Sequence, residues 1–194
     1  RDLLIANFGF DPSLLPPDAF DPAAYPIRWQ QTDAGETMAE GLPLLPYGGP
    51  DARLTARVAL IAADRYNRSD LRNALVTTRD LPSTTRDLRI AALAGLAALG
   101  EPVLSDLRTI ATATDLSVAE RIDLALGFVA AGDDTAALAI ERDLLGAGGQ
   151  QLGEWTRLRV GSTLDEIVGA TAGLALVAAG IGDPIAVSLQ AYVD

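Results

Sequence analysis

The sequence predicts an all-α domain, in which antiparallel helical hairpins form an α/α superhelix or a partial α/α toroid, preceded by an irregular, proline-rich N-terminal arm. The first observation is composition: Ala and Leu supply 34 and 30 of the 194 residues and only 5% are aromatic, which favours closely packed helices over sheet. The second is that seven of the eleven prolines precede residue 49. The third is a repeating order, after that point, of long helix, glycine-containing turn and second helix.

Residues 1–49 form the predicted arm. Each proline disfavours helical backbone in the residue before it, so no helical period lasts beyond one turn. We interpret residues 1–26 as extended, and residues 27–32 as a short strand that leads into a turn. The arm is expected to pack on the helices of the second unit, residues 50–194.

The first predicted helix covers residues 51–63, because Leu54, Val58 and Ile61 recur at spacings of three and four. A short helix over residues 71–76 follows, with Asp70 as its N-cap. The next pattern is the strongest: an apolar stripe runs through residues 86–99 and ends at Gly100.

Three local signals predict where the following helices begin. Pro102 opens a helix that runs to residue 111, because proline is tolerated in a first turn. Ser117 and Glu120 form a capping box for a helix that stops at Gly132. Asp133 caps a helix over residues 135–145, which the glycines at 146–149 terminate.

The last third of the chain departs from the repeating order of helix, turn and helix. Residues 146–153 are predicted as a flexible loop, and residues 155–160 alternate polar and apolar side chains as a short strand or an extended crossing. Helices over residues 164–179 and 184–193 complete the array. Because the turns between helices are short, successive helices should be antiparallel.

One stretch is apolar enough to raise the question of a membrane. Residues 167–182 carry no charge, but this length is shorter than the ~20 residues that a spanning helix needs. We therefore expect a buried core helix and no membrane span.

Missing residue types remove much catalytic chemistry. The chain has no cysteine and no histidine, and all 15 of its basic residues are arginine. Disulfides, thiolate nucleophiles, zinc clusters and catalytic lysines are thereby excluded, and no cofactor is predicted. The net charge of −11 provides no basic patch for nucleic acid.

The remaining acidic clusters have structural explanations. Asp133 with Asp134, Asp165 with Glu166, and Asp183 all lie at predicted helix starts, where a carboxylate meets free N–H groups. Arginine pairs such as 86 and 89, or 157 and 159, are interpreted as solvated ion-pair partners. A weak calcium site made by Asp11, Asp18 and Asp21 of the arm is an open alternative.

An apolar run at residues 42–49 directly precedes the first helix. We name its members Leu44, Leu45 and Tyr47 the interaction lip. Packed, the run closes the end of the helical array; exposed, it offers a surface for a partner.

Several helix-packing motifs resemble a known family. These are Leu44-Leu45-Pro46-Tyr47-Gly48 before Leu54-Thr55-Ala56, the run at 93–100, Asp115-Leu116-Ser117, Leu124-Ala125-Leu126 with Gly132-Asp133 and Ala136, and Thr171-Ala172. Residues 42–194 resemble the α/α-toroid domain of bacterial α2-macroglobulin and complement-like proteins. The resemblance implies a scaffold piece of a large secreted or envelope-associated parent. The thioester motif Gly-Cys-Gly-Glu-Gln of that family is absent, and the chain is short for a closed toroid.

The leading hypothesis is a non-catalytic structural or protein-interaction domain, whose partner is another domain of its parent or another protein. Its binding surface would be the concave face of the array or the interaction lip, and its location extracellular or in the cell envelope. One alternative is an (α/α)-barrel carbohydrate-active enzyme, with Glu36 or Glu40 facing another acid beside Trp29. Another is a cytoplasmic helical-repeat adaptor.

Overall fold

The computed structural model describes residues 26–31, 37–43 and 49–194, and these are mainly helical. The all-α prediction is therefore confirmed. In chain order the strands and helices are β1 (Arg28–Gln31), β2 (Thr37–Pro43), β3 (Pro50–Asp51), α1 (Ala52–Ile61), α2 (Arg68–Asp80), α3 (Arg86–Ala98), α4 (Leu104–Ala111), α5 (Val118–Ala130), α6 (Asp134–Gly148), β4 (Gly149–Leu152), β5 (Trp155–Leu158), α7 (Leu164–Ile181) and α8 (Ile185–Val193).

The helices form two rows. Helices α1, α3, α5 and α7 pack in that order as the inner row, each against the next. The even-numbered helices form the outer row, where α2, α4 and α6 each contact the inner helices before and after them and α8 packs on α7. Helical hairpins stacked in this way bury a continuous core between the rows.

Helix ends follow local chemistry, with two corrections to the predicted boundaries. Helix α2 is longer than expected and is capped by Asn67, not Asp70: the Asn67 side chain accepts from the N–H groups of residues 69 and 70. Helix α4 begins at Leu104 after Val103, so Pro102 lies ahead of the helix instead of in its first turn. The predicted caps at Ser117 and Asp133 are both confirmed.

The loop expected at residues 146–153 is instead structured. Helix α6 continues through Gly148, and β4 then pairs antiparallel with β5. Strand β5 packs on α7 and α8, and the N–H of Leu158 donates to Thr171 Oγ1 at 3.0 Å. The strand interpretation of residues 155–160 is thereby confirmed as β5, whose Leu158 belongs to the core, while β4 is mostly exposed.

A small sheet closes the other end of the array. Strand β2 pairs with β1 and β3 and packs on α2 and α1. At Gly41 the backbone has φ +128°, and an added Cβ would lie 2.6 Å from Thr55 Oγ1. That hydroxyl accepts from the N–H of Leu42 at 2.8 Å, so Gly41 lets the strand approach the helix closely enough for this bond. The predicted strand at 27–32 is confirmed as β1; the interpretation of residues 1–25 as an extended arm lies outside the described residues.

Among the described residues, one helix, α7, could cross a membrane as judged by its length and composition. At 18 residues it is slightly longer than predicted, and a third of it is buried. It packs against α5, α6, α8 and β5 as one helix of the array, but it is less buried than the core helix predicted from the sequence.

Candidate interaction surface

The inner row of helices is curved. Helices α1 and α7 stand at opposite ends of this row, yet residues of both line the same two cavities, of about 460 and 430 Å³. One cavity is lined by the N-terminal halves of α1, α5 and α7, and the other by the C-terminal halves of these helices and the end of α3. We call the two cavities together the inner groove. Arg57 of α1 lines both cavities and marks their junction.

The N-terminal half of the inner groove contains an ion network that links three helices. Arg57 of α1 donates to Oδ1 of Asp123 on α5 at 2.7 Å, and Arg53 reaches Asp123 Oδ2 at 3.4 Å. Arg53 also donates to Asp87 of α3 at 2.8 Å. The Asp123 side chain is only 3% exposed, and burial raises its pKa while the two arginines oppose that shift.

Across the cavity, Glu166 belongs to the start of α7. Its Oε2 accepts from the backbone N–H groups of Ser162 and Thr163, at 2.8 and 3.0 Å. These bonds and the Thr163 hydroxyl lower the pKa of Glu166. The carboxylate is thus committed to capping a helix.

The C-terminal half of the groove is almost wholly apolar. Beyond Arg57 its walls include Leu60 and Ile61 of α1, Leu126 of α5 and Leu176 of α7. Ile61 is 51% exposed and Leu176 is 39% exposed, although both are large aliphatic side chains. An array of helices that leaves such residues open along one face presents a surface suited to a partner.

A third cavity lies on the other side of α5, between this helix, α6 and the chain that follows α4. Arg121 and Asp143 line it and form an ion pair with each other. This cavity borders neither α1 nor α7, so it is separate from the inner groove.

A curved row of stacked helices is a frequent frame for binding surfaces. No family model, curated protein or solved structure matches this chain. The assignment of a function therefore depends on the inner groove and its own residues.

Most of the residues singled out in the arm lie outside the described part of the chain. This holds for the interaction lip at Leu44, Leu45 and Tyr47, for Glu36, and for the acids of the open calcium alternative, Asp11, Asp18 and Asp21. Within the described ranges, no group of three or more acidic side chains could hold a metal ion.

The two described residues of the carbohydrate-enzyme alternative are Trp29 and Glu40. Trp29 is opposite Ala39 in the antiparallel ladder. The register shifts between Arg28 and Trp29, so Glu40 lies between the paired residues Ala39 and Gly41. Neither Trp29 nor Glu40 lines any of the three cavities described above.

The acids and arginines interpreted as structural do make such contacts. Asp133 accepts from the N–H of Ala136, and Asp183 accepts from the N–H of Ile185. Arg86 binds Glu120 and Asp115, and Arg157 donates to Gln150.

Two buried acids escaped the sequence analysis. Asp123 lies among apolar residues of α5, and Glu141 lies on the apolar stripe of α6 between Ala137 and Leu144. In each case the signal was an acid on the face that should be buried. Such a position requires either a partner, as for Asp123, or a raised pKa, as for Glu141.

Proposed function

We propose that the chain is a non-catalytic protein-interaction module that binds a segment of a partner protein in the inner groove. The observation that carries this proposal is the pair of adjoining cavities on one face, bordered by helices from both ends of the inner row. Their volumes fall within the range of roughly 300–1,000 Å³ typical of binding sites.

The chemistry of the groove favours recognition over catalysis. Its basic groups are the guanidinium groups of Arg53 and Arg57, a type of side chain that is poorly suited to proton transfer, and both are bound to Asp123. The Glu166 carboxylate is occupied by backbone N–H groups. Aliphatic walls and fixed guanidinium groups instead provide apolar contact and orientation.

A display selection tests the proposal. A library of random peptides is selected against the chain, and the enriched peptides are measured against Leu176→Asp, which places a charge in the apolar cavity. The matched control is Val187→Asp, because Val187 is an aliphatic residue of outer helix α8 with 73% exposure. We expect Leu176→Asp to weaken binding by about tenfold or more, the effect of ~1.4 kcal/mol, and Val187→Asp to leave it unchanged.

Equal losses in the two variants would place the binding surface elsewhere, and failure to enrich any peptide would contradict the proposed module. Thermal melts of both variants establish that each remains folded.

The interaction lip stays a separate prediction. If Leu44, Leu45 and Tyr47 form part of the binding surface, Tyr47→Ala should weaken partner binding more than it lowers the free energy of unfolding. The reverse result would assign Tyr47 to the core.

The cellular setting is proposed from the resemblance to bacterial α2-macroglobulin-like toroids alone. On that basis the partner is another domain of a larger parent or a second protein, met outside the cell or in its envelope. Protease treatment of intact cells tests this location: the parent should be cleaved without lysis. Protection until lysis would favour the cytoplasmic adaptor.

A further inference from the structure

The junction of the inner groove combines a charged group with apolar walls, and Arg57 stands at this point. It is the residue shared by the two cavities among those described, with the Asp123 network on one side and Leu60, Ile61 and Leu176 on the other. A ligand that extends through both cavities therefore lies against Arg57.

The hydrogen-bonding balance at the junction favours an acceptor as ligand. Asp123 is buried and both its oxygens already accept, one from each arginine. Arginine has five N–H donors, and the bond from Arg57 to Asp123 uses one of them. The Arg57 side chain is 32% exposed, so its other donors can reach a ligand. The groove thus has more donors than acceptors to offer at this point.

We propose, on the basis of the protein-binding function above, that the partner segment carries a single carboxylate beside aliphatic residues. Its Asp or Glu pairs with Arg57, and the neighbouring aliphatic side chains enter the cavity walled by Leu60, Ile61, Leu126 and Leu176. A guanidinium can hold a carboxylate through two parallel hydrogen bonds, which fixes the register of the segment in the groove.

The charge of the whole chain limits how acidic the partner segment can be. A net charge of −11 repels a polyacidic tract at long range. One carboxylate held at close range by Arg57 avoids most of this penalty, because its interaction is local. The preferred segment is therefore aliphatic with one acid, not an acidic run.

Synthetic peptides test this specificity. Fluorescein-labelled peptides contain Glu, Gln or Arg beside the same Leu-Leu pair, within an otherwise uncharged sequence, and binding is followed by fluorescence anisotropy. We expect the Glu peptide to bind about tenfold more tightly than the Gln peptide, as for one charge-assisted pair, and the Arg peptide to bind weakest.

Two substitutions with opposite expected effects separate recognition from stability. Arg57→Gln should remove the preference for Glu over Gln. Asp123→Asn should increase affinity for the Glu peptide several-fold, because Arg57 loses its internal counterion while Arg53 keeps Asp87. Arg72→Gln is the matched control: Arg72 pairs with Glu101 through an exposed contact on outer helix α2, and its loss should change nothing.

Arg57→Gln leaves Asp123 with one partner and can destabilise the fold. The double variant Arg57→Gln/Asp123→Asn removes both charges together and should likewise bind Glu and Gln peptides equally. If the Glu and Gln peptides bind the unmodified chain equally well, the carboxylate inference is wrong while the proposed function stands. If neither these nor any selected peptide binds, the proposed function itself is wrong.

Discussion

The most unusual single residue is Glu141 of α6. It is 1% exposed, and neither of its carboxylate oxygens has a hydrogen-bond partner. Burial raises its pKa to about 7, and the nearby charge of Asp183 adds to the shift while Arg142 on the same helix opposes it. At neutral pH this side chain is therefore balanced between its neutral and charged forms.

The sign of its contribution to stability follows from the two pKa values. In the unfolded chain the carboxyl ionises near its ordinary value of 4.5, whereas in the folded chain it keeps its proton until about 7. The folded state binds more protons between these values, so the free energy of unfolding falls as pH rises through that window. Above it, the loss from this group amounts to roughly 1–3 kcal/mol.

Glu141→Gln tests this account at the residue scale. The variant should be more stable than the unmodified chain by roughly 1–3 kcal/mol at about pH 8, with the advantage shrinking toward about pH 4. Urea unfolding over this pH range measures the difference. An advantage of the same size at every pH would mean that packing, and not the charge, governs the position.

Residue-scale features were predicted from the sequence where the cause is local. The Ser117 and Asp133 caps depend on side chains within three residues of their target N–H groups. The partners of Asp123 are far away in sequence, since Arg53 and Arg57 lie on another helix. No local pattern contains that information.

At the scale of elements, the starts of α3 and α5 are joined by one side chain. Arg86, the first residue of α3, donates from Nε to Glu120 Oε1 at 2.7 Å and from Nη2 to Oε2 at 3.2 Å. Glu120 also closes the capping box of α5 by accepting from the Ser117 N–H at 2.7 Å. Together these contacts lower the pKa of Glu120 to about 2, and the hydrogen bonds from Arg86 have the largest effect.

Glu120→Gln should therefore act in the opposite pH direction to Glu141→Gln. A lowered pKa contributes stability above the ordinary value of 4.5, and this contribution is lost as pH falls toward about 2. At neutral pH we expect a loss of about 1 kcal/mol, the usual worth of a cap, since Arg86 is partly solvent-exposed. Unfolding at neutral pH and near pH 2 measures it; a loss that persists undiminished in acid would contradict the charge-based account.

Two glycines, which we call notches because they have no side chain at a helix contact, allow the inner helices to approach closely. A Cβ on Gly95 of α3 would lie 2.8 Å from Leu75 Cδ1 and 3.1 Å from the Ala56 backbone. Gly127 of α5 makes the equivalent approach, 3.3 Å from the backbone of Ala94 on α3. The alanine content predicts closely packed helices. In the structure, it is Gly95 and Gly127 that lie directly against the backbone of a neighbouring helix.

Gly95→Ala should destabilise the chain by roughly 1–3 kcal/mol, because overpacking outweighs the gain in helix propensity. Gly169→Ala on α7 is the control, since an added Cβ there meets nothing within 4 Å. That variant should gain up to about 1 kcal/mol from propensity alone. Thermal unfolding compares the two, and a stabilising Gly95→Ala would show that the notch is not tight.

For the whole molecule, apolar periodicity and short turns were sufficient to predict two rows of antiparallel hairpins. The curvature that makes the inner groove could not be predicted from periodicity and turn length, because curvature of such arrays arises from small rotations between successive hairpins. Contacts between separate helices, such as Gly95 against Ala56, likewise cannot be inferred from any one segment. The β4–β5 hairpin was not predicted for a related reason. Its glycines are typical of a loop, and the packing of β5 on α7 and α8 involves residues that are distant in sequence.

The array should also open unevenly, because most contacts of each inner helix are with neighbouring elements. Helix α3 has neighbours on both sides and is buried throughout residues 90–97, whereas α8 at the end of the array has Leu189 as its buried residue. Local opening costs least where the fewest apolar contacts are lost. Hydrogen exchange followed by mass spectrometry should therefore find the slowest amides in α3 and α5 and faster exchange in α8. Equal protection across the chain would mean that the hairpins unfold as one unit, with the array too cooperative for its ends to open independently.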